Sequence, residues 1–183
     1  MKEPVTFDLG LVEFITPEAV GKPGQRTFKV VIKSSRGEAV VWLEKEQLYQ
    51  LGVSIKQLTS TRPRVAEPAP YITEASPQLP DSKLDFKVGD LALRHDAASD
   101  VFTLSAANFN EDAEVDGTTD NDDDEQPLEI LVSFRRAQAE RLADKAIEVV
   151  SSGRKPCPLC GGPVDPAGHF CVKKNGYHKQ EAQ

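Results

Sequence analysis

The residues of this chain whose types and spacing most clearly do chemistry lie near its end. All three cysteines fall between positions 157 and 171, with His169 among them. Cys157 and Cys160 form a Cys-x-x-Cys pair followed by Gly161 and Gly162. Such a turn can aim two thiolates at one metal, because glycine leaves the backbone room to fold back beneath the sulfurs. Eight residues then separate Cys160 from His169 and Cys171, and prolines and glycines in that interval favour a reversal of the chain. Three thiolates and an imidazole suit tetrahedral zinc, and four protein ligands leave no open position for a substrate. One structural zinc held by Cys157, Cys160, His169 and Cys171 is therefore expected, contributing on the order of 10 kcal/mol to the order of its segment. The competing reading is free cysteines or a redox pair. A redox Cys-x-x-Cys opens a helix after a strand, whereas this one stands among prolines and glycines. His178 is the alternative fourth ligand.

A second place of interest is Gly21-Lys22-Pro23-Gly24-Gln25-Arg26-Thr27-Phe28. It lacks the glycine spacing and the closing Lys-Ser/Thr of a phosphate-binding P-loop. One reading is a hairpin turn with glycines where the backbone demands them. The other is an anion-binding turn, with Gln25 and Arg26 brought near Lys45. Elsewhere no serine or cysteine stands with a histidine in a nucleophile setting. His95 closes a strand and reads as structural, and the helix dipole alone justifies Glu44 and Glu46 at a helix start. No catalytic residue is assigned, and the balance leans away from an enzyme.

Composition narrows the class. The 183 residues are 39% apolar with a net charge of −7. Nine carboxylates crowd into residues 111–125, and without them the remainder carries +2. Residues 108–126 are thus expected to be a disordered acidic loop: a solvated connection, a decoy for nucleic acid, or an intramolecular partner for the basic tail. No apolar run approaches a membrane span, and the first residues lack the apolar segment of a signal peptide. An odd, clustered set of cysteines favours metal over disulfides, and a cytoplasmic location is expected.

The elements that must position these groups follow from periodicity. Residues 6–15 read as a first strand and 21–25 as a turn. Phe28, Val30 and Ile32 alternate in a second strand over 27–33, with a hairpin at 34–38 into a third over 39–43. From Glu44 the spacing turns helical, with Leu48, Leu51 and Ile55 on one side and Gly52 as a weak point. Residues 59–83, with five prolines, read as a linker or a loop over the core. Strands over 86–95, 100–107 and 128–134 and a helix from 135 to 150 follow, the helix stopping at Gly153. Val41, Leu43, Lys45, Gln47 and Leu51 fall opposite Val132, Phe134, Arg136, Gln138 and Leu142 at an offset of 91. That is either a duplicated βββα unit with pseudo-twofold symmetry or the generic look of a strand entering a helix. The fold class expected is α+β. It comprises a mainly antiparallel sheet with two helices over residues 1–153, and a small zinc-binding knuckle over 154–183.

Three stretches together resemble an uncharacterised bacterial family found chiefly in high-GC Gram-positive bacteria. They are Gly-x-Pro-Gly-Gln-Arg-x-Phe at 21–28, Leu-Glu-Lys-Glu-Gln at 43–47, and the tail from Cys157 to Cys171 with Asn175-Gly176-Tyr177 beyond. Val172 stands where the family has proline, and the acidic segment is an insertion; neither touches a ligand. The resemblance implies His169 as a zinc ligand and implies no reaction. The first functional expectation is a protein-binding or scaffold module with an unknown protein partner and no membrane. Behind it stand a nucleic-acid binder using the basic tail and an enzyme acting on a phosphorylated small molecule near Arg26.

Overall fold

The structure, a computed structural model, describes residues 4–73, 83–108, 127–153, 157–159, 164 and 171. The chain forms β1 (Val5–Leu11), β2 (Phe14–Val20), β3 (Thr27–Ser34), β4 (Gly37–Leu43) and α1 (Lys45–Thr61), then β5 (Leu84–Asp96), β6 (Val101–Asn108), β7 (Leu128–Arg135) and α2 (Arg136–Ser151). One seven-stranded sheet has the order β1-β7-β6-β5-β4-β3-β2.

That order puts β1 and β2 at opposite ends, yet only Val12 and Glu13 join them. Seven strands laid flat span about 29 Å at ~4.8 Å per step. The two-residue connection reaches at most about 11 Å. The sheet must therefore curl until its edges meet, and the hydrogen bonds place the seam. Val12 N–H donates to Ser133 O of β7 at 2.8 Å, and the next amide, Glu13 N–H, donates to Lys33 O of β3 at 2.9 Å. β1 and β2 are the two halves of one bent strand in a closed barrel. Gly10, at φ +66°, sits in the bulge between Asp8 and Leu11 that starts the bend. A left-handed φ there strains any residue with a Cβ.

The single strand expected over residues 6–15 is thus two, because its amides serve different neighbours before and after Val12. The sheet is mainly antiparallel, as expected, but not purely so. β4 runs parallel to β5 and β1 parallel to β7, while the other four pairings are antiparallel. A helix after β4 carries the chain back to start β5 in the same direction, and ring closure does the same for β1 beside β7.

The two halves correspond in register. β4 pairs with β3 through Leu43↔Phe28, Val41↔Val30 and Ala39↔Ile32, and β7 with β6 through Phe134↔Phe102, Val132↔Leu104 and Ile130↔Ala106. Offsets of 91 (β4 to β7) and 74 (β3 to β6) convert one set into the other. β5 mirrors β1–β2: its first residues pair parallel with β4 and its last antiparallel with β6, across a bulge between Val88 and Leu91. All twelve of those alternating side chains of β3, β4, β6 and β7 are buried, so they fill the barrel. Leu48, Leu51 and Ile55 of α1 and Ala139, Leu142, Ala143 and Ala146 of α2 extend the same apolar cluster.

Gly52 does not break α1, which runs unbroken to Thr61. It lies where α2 crosses: a Cβ there would stand 3.1 Å from Ile147 Cγ1, 3.2 Å from Ala143 O and 3.3 Å from Ala146 Cβ. The expected linker therefore begins later, at residue 62. Its described part, 62–73, lies over the outside of β6 and β7. Ala69 N–H donates to Ala98 O at 2.9 Å, and the Tyr71 hydroxyl is 2.7 Å from Ser133 Oγ. Of the acidic segment 108–126 only Asn108 is described, and the tail 154–183 is described only at 157–159, 164 and 171. Among the described residues no helix is long and apolar enough to cross a membrane. Replacing Gly52 by valine is predicted to lower unfolding stability by about 2–3 kcal/mol, read by urea denaturation, because the helices must part. A variant as stable as the parent would mean that the crossing is not tight.

Candidate functional site

Each helix begins in the same way. Glu44 N–H donates to Gln47 Oε1 at 2.8 Å, and Arg135 N–H donates to Gln138 Oε1 at 3.0 Å. These side chains satisfy backbone donors that a helix start leaves without intrahelical partners. Their amide groups reach across the barrel's seams. Gln47 Nε2 donates to Gly89 O at 3.0 Å and Gln138 Nε2 to Val12 O at 2.8 Å. Every helix start is thus fastened to the bend in the other half's first strand.

At the start of α2, Arg136 is buried against Asp100, with Nε 2.8 Å from Oδ2 and 3.0 Å from Oδ1. Its remaining donors go to Thr59 O at 3.1 Å and Pro63 O at 3.3 Å, which fixes the exit of α1. His95 Nε2 stands 2.8 Å from Asp100 Oδ1, and its ring lies 4.4 Å from that of Phe102. Asp100 takes φ +53°, a conformation that short polar side chains tolerate better than others. The hydrogen bond from Arg136 holds its carboxyl down at about 2, against the opposing effect of burial, with His95 adding to the lowering. The same bond raises Arg136. His95 was expected to be structural, and here all three side chains are buried, with side-chain exposures of 2% for His95, 9% for Asp100 and 5% for Arg136. Nothing in the sequence pattern flagged this network, although Arg136 opening a helix and Asp100 opening a strand were both visible.

At the start of α1 the arrangement differs. Gly24, Arg26, Phe28, Lys45, Val150, Ser151 and Gly153 line a cavity of about 460 Å³. Of the suggested anion-binding set, Arg26 and Lys45 come together there. Gln25 does not line it; it is exposed, and its N–H donates to Lys22 O at 2.9 Å. Arg26 Nη1 donates to Ser152 Oγ at 3.2 Å.

The metal-ligand candidates are divided. Cys157 and Cys171 are both buried, 7% and 5% exposed, with Sγ atoms 3.9 Å apart. A disulfide needs about 2.05 Å. Cys160, His169 and His178 lie outside the described residues. Among the described residues there is no cluster of three or more metal-ligating side chains.

Residues 7–171 match the model of a family described as a protein of unknown function (DUF3090). The chain belongs to that family. No curated protein and no solved structure matches it. The family match runs from β1 through both helices to Cys171, so barrel and cysteine segment fall within one family unit.

Asp100 gives a pH prediction with a definite sign. Its carboxyl is more acidic folded than unfolded, so the stability it contributes is complete above about pH 4 and is lost as pH falls toward 2. Asp100→Asn keeps a residue that tolerates φ > 0 but leaves Arg136 buried without its carboxylate. It is expected to cost about 3 kcal/mol at pH 7 and much less near pH 2, measured by denaturant unfolding across that range. An unchanged gap between the two proteins at pH 7 and pH 2 would contradict the pairing.

Proposed function

We propose that the chain is a binding module, a two-part barrel whose C-terminal segment is closed by one structural zinc on Cys157, Cys160, His169 and Cys171. The convergence of two buried thiols that are distant in sequence supports this reading. Two thiolates each about 2.3 Å from one zinc, at the tetrahedral angle, lie about 3.8 Å apart; Cys157 and Cys171 lie 3.9 Å apart, buried, and fourteen residues from one another in sequence. The same distance is also that of an S–H···S contact between two packed thiols, so the metal reading rests on the spacing together with the sequence's four-ligand set. Cys160 and His169 would complete the set, each two or three residues from a described cysteine.

A closed coordination shell makes the metal a fastener, and the work of the module lies in what its surface presents. Leu159, between the two cysteines of the turn, is 54% exposed, an apolar tip that fits a protein partner better than a nucleic-acid backbone. The fastening is local, so the barrel should stand without it.

Purified, untagged protein is expected to hold about one zinc per chain by elemental mass spectrometry. Cys171→Ser should reduce the zinc to near zero while the far-ultraviolet spectrum and the main thermal transition persist. Metal-free protein with three titratable thiols would overturn the assignment. Mixing with single- or double-stranded nucleic acid at low salt should give no shift; a complex that weakens steeply with salt would transfer the tail to a nucleic-acid role.

A further inference from the structure

The correspondence between the two halves gives the cavity beside α1 a counterpart whose contents are visible. Lys45 opens α1 as Arg136 opens α2, at the offset of 91. Arg26 precedes β3 as Asp100 precedes β6, at the offset of 74 set by Phe28↔Leu43 and Phe102↔Phe134. The Asp100–Arg136 ion pair of one half therefore becomes Arg26 and Lys45 in the other. The internal carboxylate is replaced by a second cation, and where the first site is packed shut, the second is a cavity of about 460 Å³.

Among the described residues nothing compensates that positive charge. Among the described residues neither Arg26 nor Lys45 has a carboxylate within ion-pair distance; the one hydrogen bond recorded for the Arg26 side chain is to Ser152 Oγ. The nearest acidic residues in sequence are directed elsewhere. Glu44 pairs with Lys87 at 2.9 Å, and Glu46 lines a different cavity with Gln50 and Leu91. Phe28 supplies an apolar wall, and the cavity is of a size that accepts a small molecule.

The geometry points to a pocket for a phosphate-bearing small molecule at Arg26 and Lys45, occupying the place where the other half keeps its own carboxylate. One cation in the packed site is balanced by one carboxylate. Two cations in the open site match a dianion better than a monoanion, and guanidinium and ammonium are the usual partners of phosphate oxygens. This inference does not rest on the zinc reading: among the described residues, neither Cys157 nor Cys171 lines the cavity.

The test is thermal stabilisation and calorimetric titration of the full chain with inorganic phosphate, a sugar phosphate and a nucleoside monophosphate. Sodium chloride at matched ionic strength and a simple dicarboxylate are the controls. Saturable stabilisation by the phosphate compounds, exceeding both controls, is expected. Arg26→Asp restores the arrangement of the packed half and should weaken binding by more than about tenfold without lowering the melting temperature of the unliganded protein. Lys45→Gln should weaken binding comparably, and Lys22→Gln, outside the cavity lining, should leave it unchanged. Absence of saturable binding by the parent chain overturns the proposal. So does binding that survives Lys45→Gln, a variant that serves even if Arg26→Asp fails to fold.

Discussion

Everything in this fold depends on one short seam. Val12 and Glu13 are adjacent, yet their amides bond to β7 and β3, strands that lie near opposite ends of the seven-stranded order. An open sheet of that width would leave two rows of exposed backbone groups, a template for association. Bending at Val12–Glu13 brings the two ends of the sheet together and gives Phe28, Val30, Val41, Phe102, Val132 and Phe134 one common interior. The seam is held again from outside by Gln138, whose amide donates to Val12 O from the first turn of α2.

The same constraint explains why the halves match where they do. A closed ring of two equal parts needs each first strand to change partners midway, so each carries a bulge, at residues 8–11 and 88–91. Each helix start must then meet the bend of the opposite half, and Gln47 and Gln138 do so with equivalent bonds. Against this regular background, the charges at the helix starts are free to differ. One site is a buried ion pair that ties down the exit of α1; the other is a cavity whose two cations pair with no carboxylate among the described residues.

Much of this was legible in the chain. The alternation in β3 and β7 and the three- and four-residue spacing in both helices are local properties, and the offset of 91 between the helix starts recurs in their hydrogen bonds. What was not legible is non-local. Nothing in residues 6–15 states that amides before and after Val12 serve opposite edges, because apolar alternation does not encode partner choice. Parallel pairing of β4 with β5 follows from the return path of the chain through α1. Gly52 read as a helix weakness because propensity is local, whereas its use is the close approach of Ala143 and Ala146. Asp100 and Arg136 are thirty-six residues apart, and only the fold makes them partners. The cysteine spacing suggests a shared metal, but of its four ligands only Cys157 and Cys171 lie among the described residues.

Closure is most directly tested by amide hydrogen exchange at single-residue resolution. The Val12 and Glu13 amides lie in the two-residue connection between strands, where an open sheet would expose them to solvent at a frayed corner. A closed barrel predicts that both exchange as slowly as the amides of Val30 and Val132 in the central strands. If they exchange at the rate of an unprotected loop while Val30 and Val132 stay protected, the ring is open, and the correspondence between the two halves loses its basis.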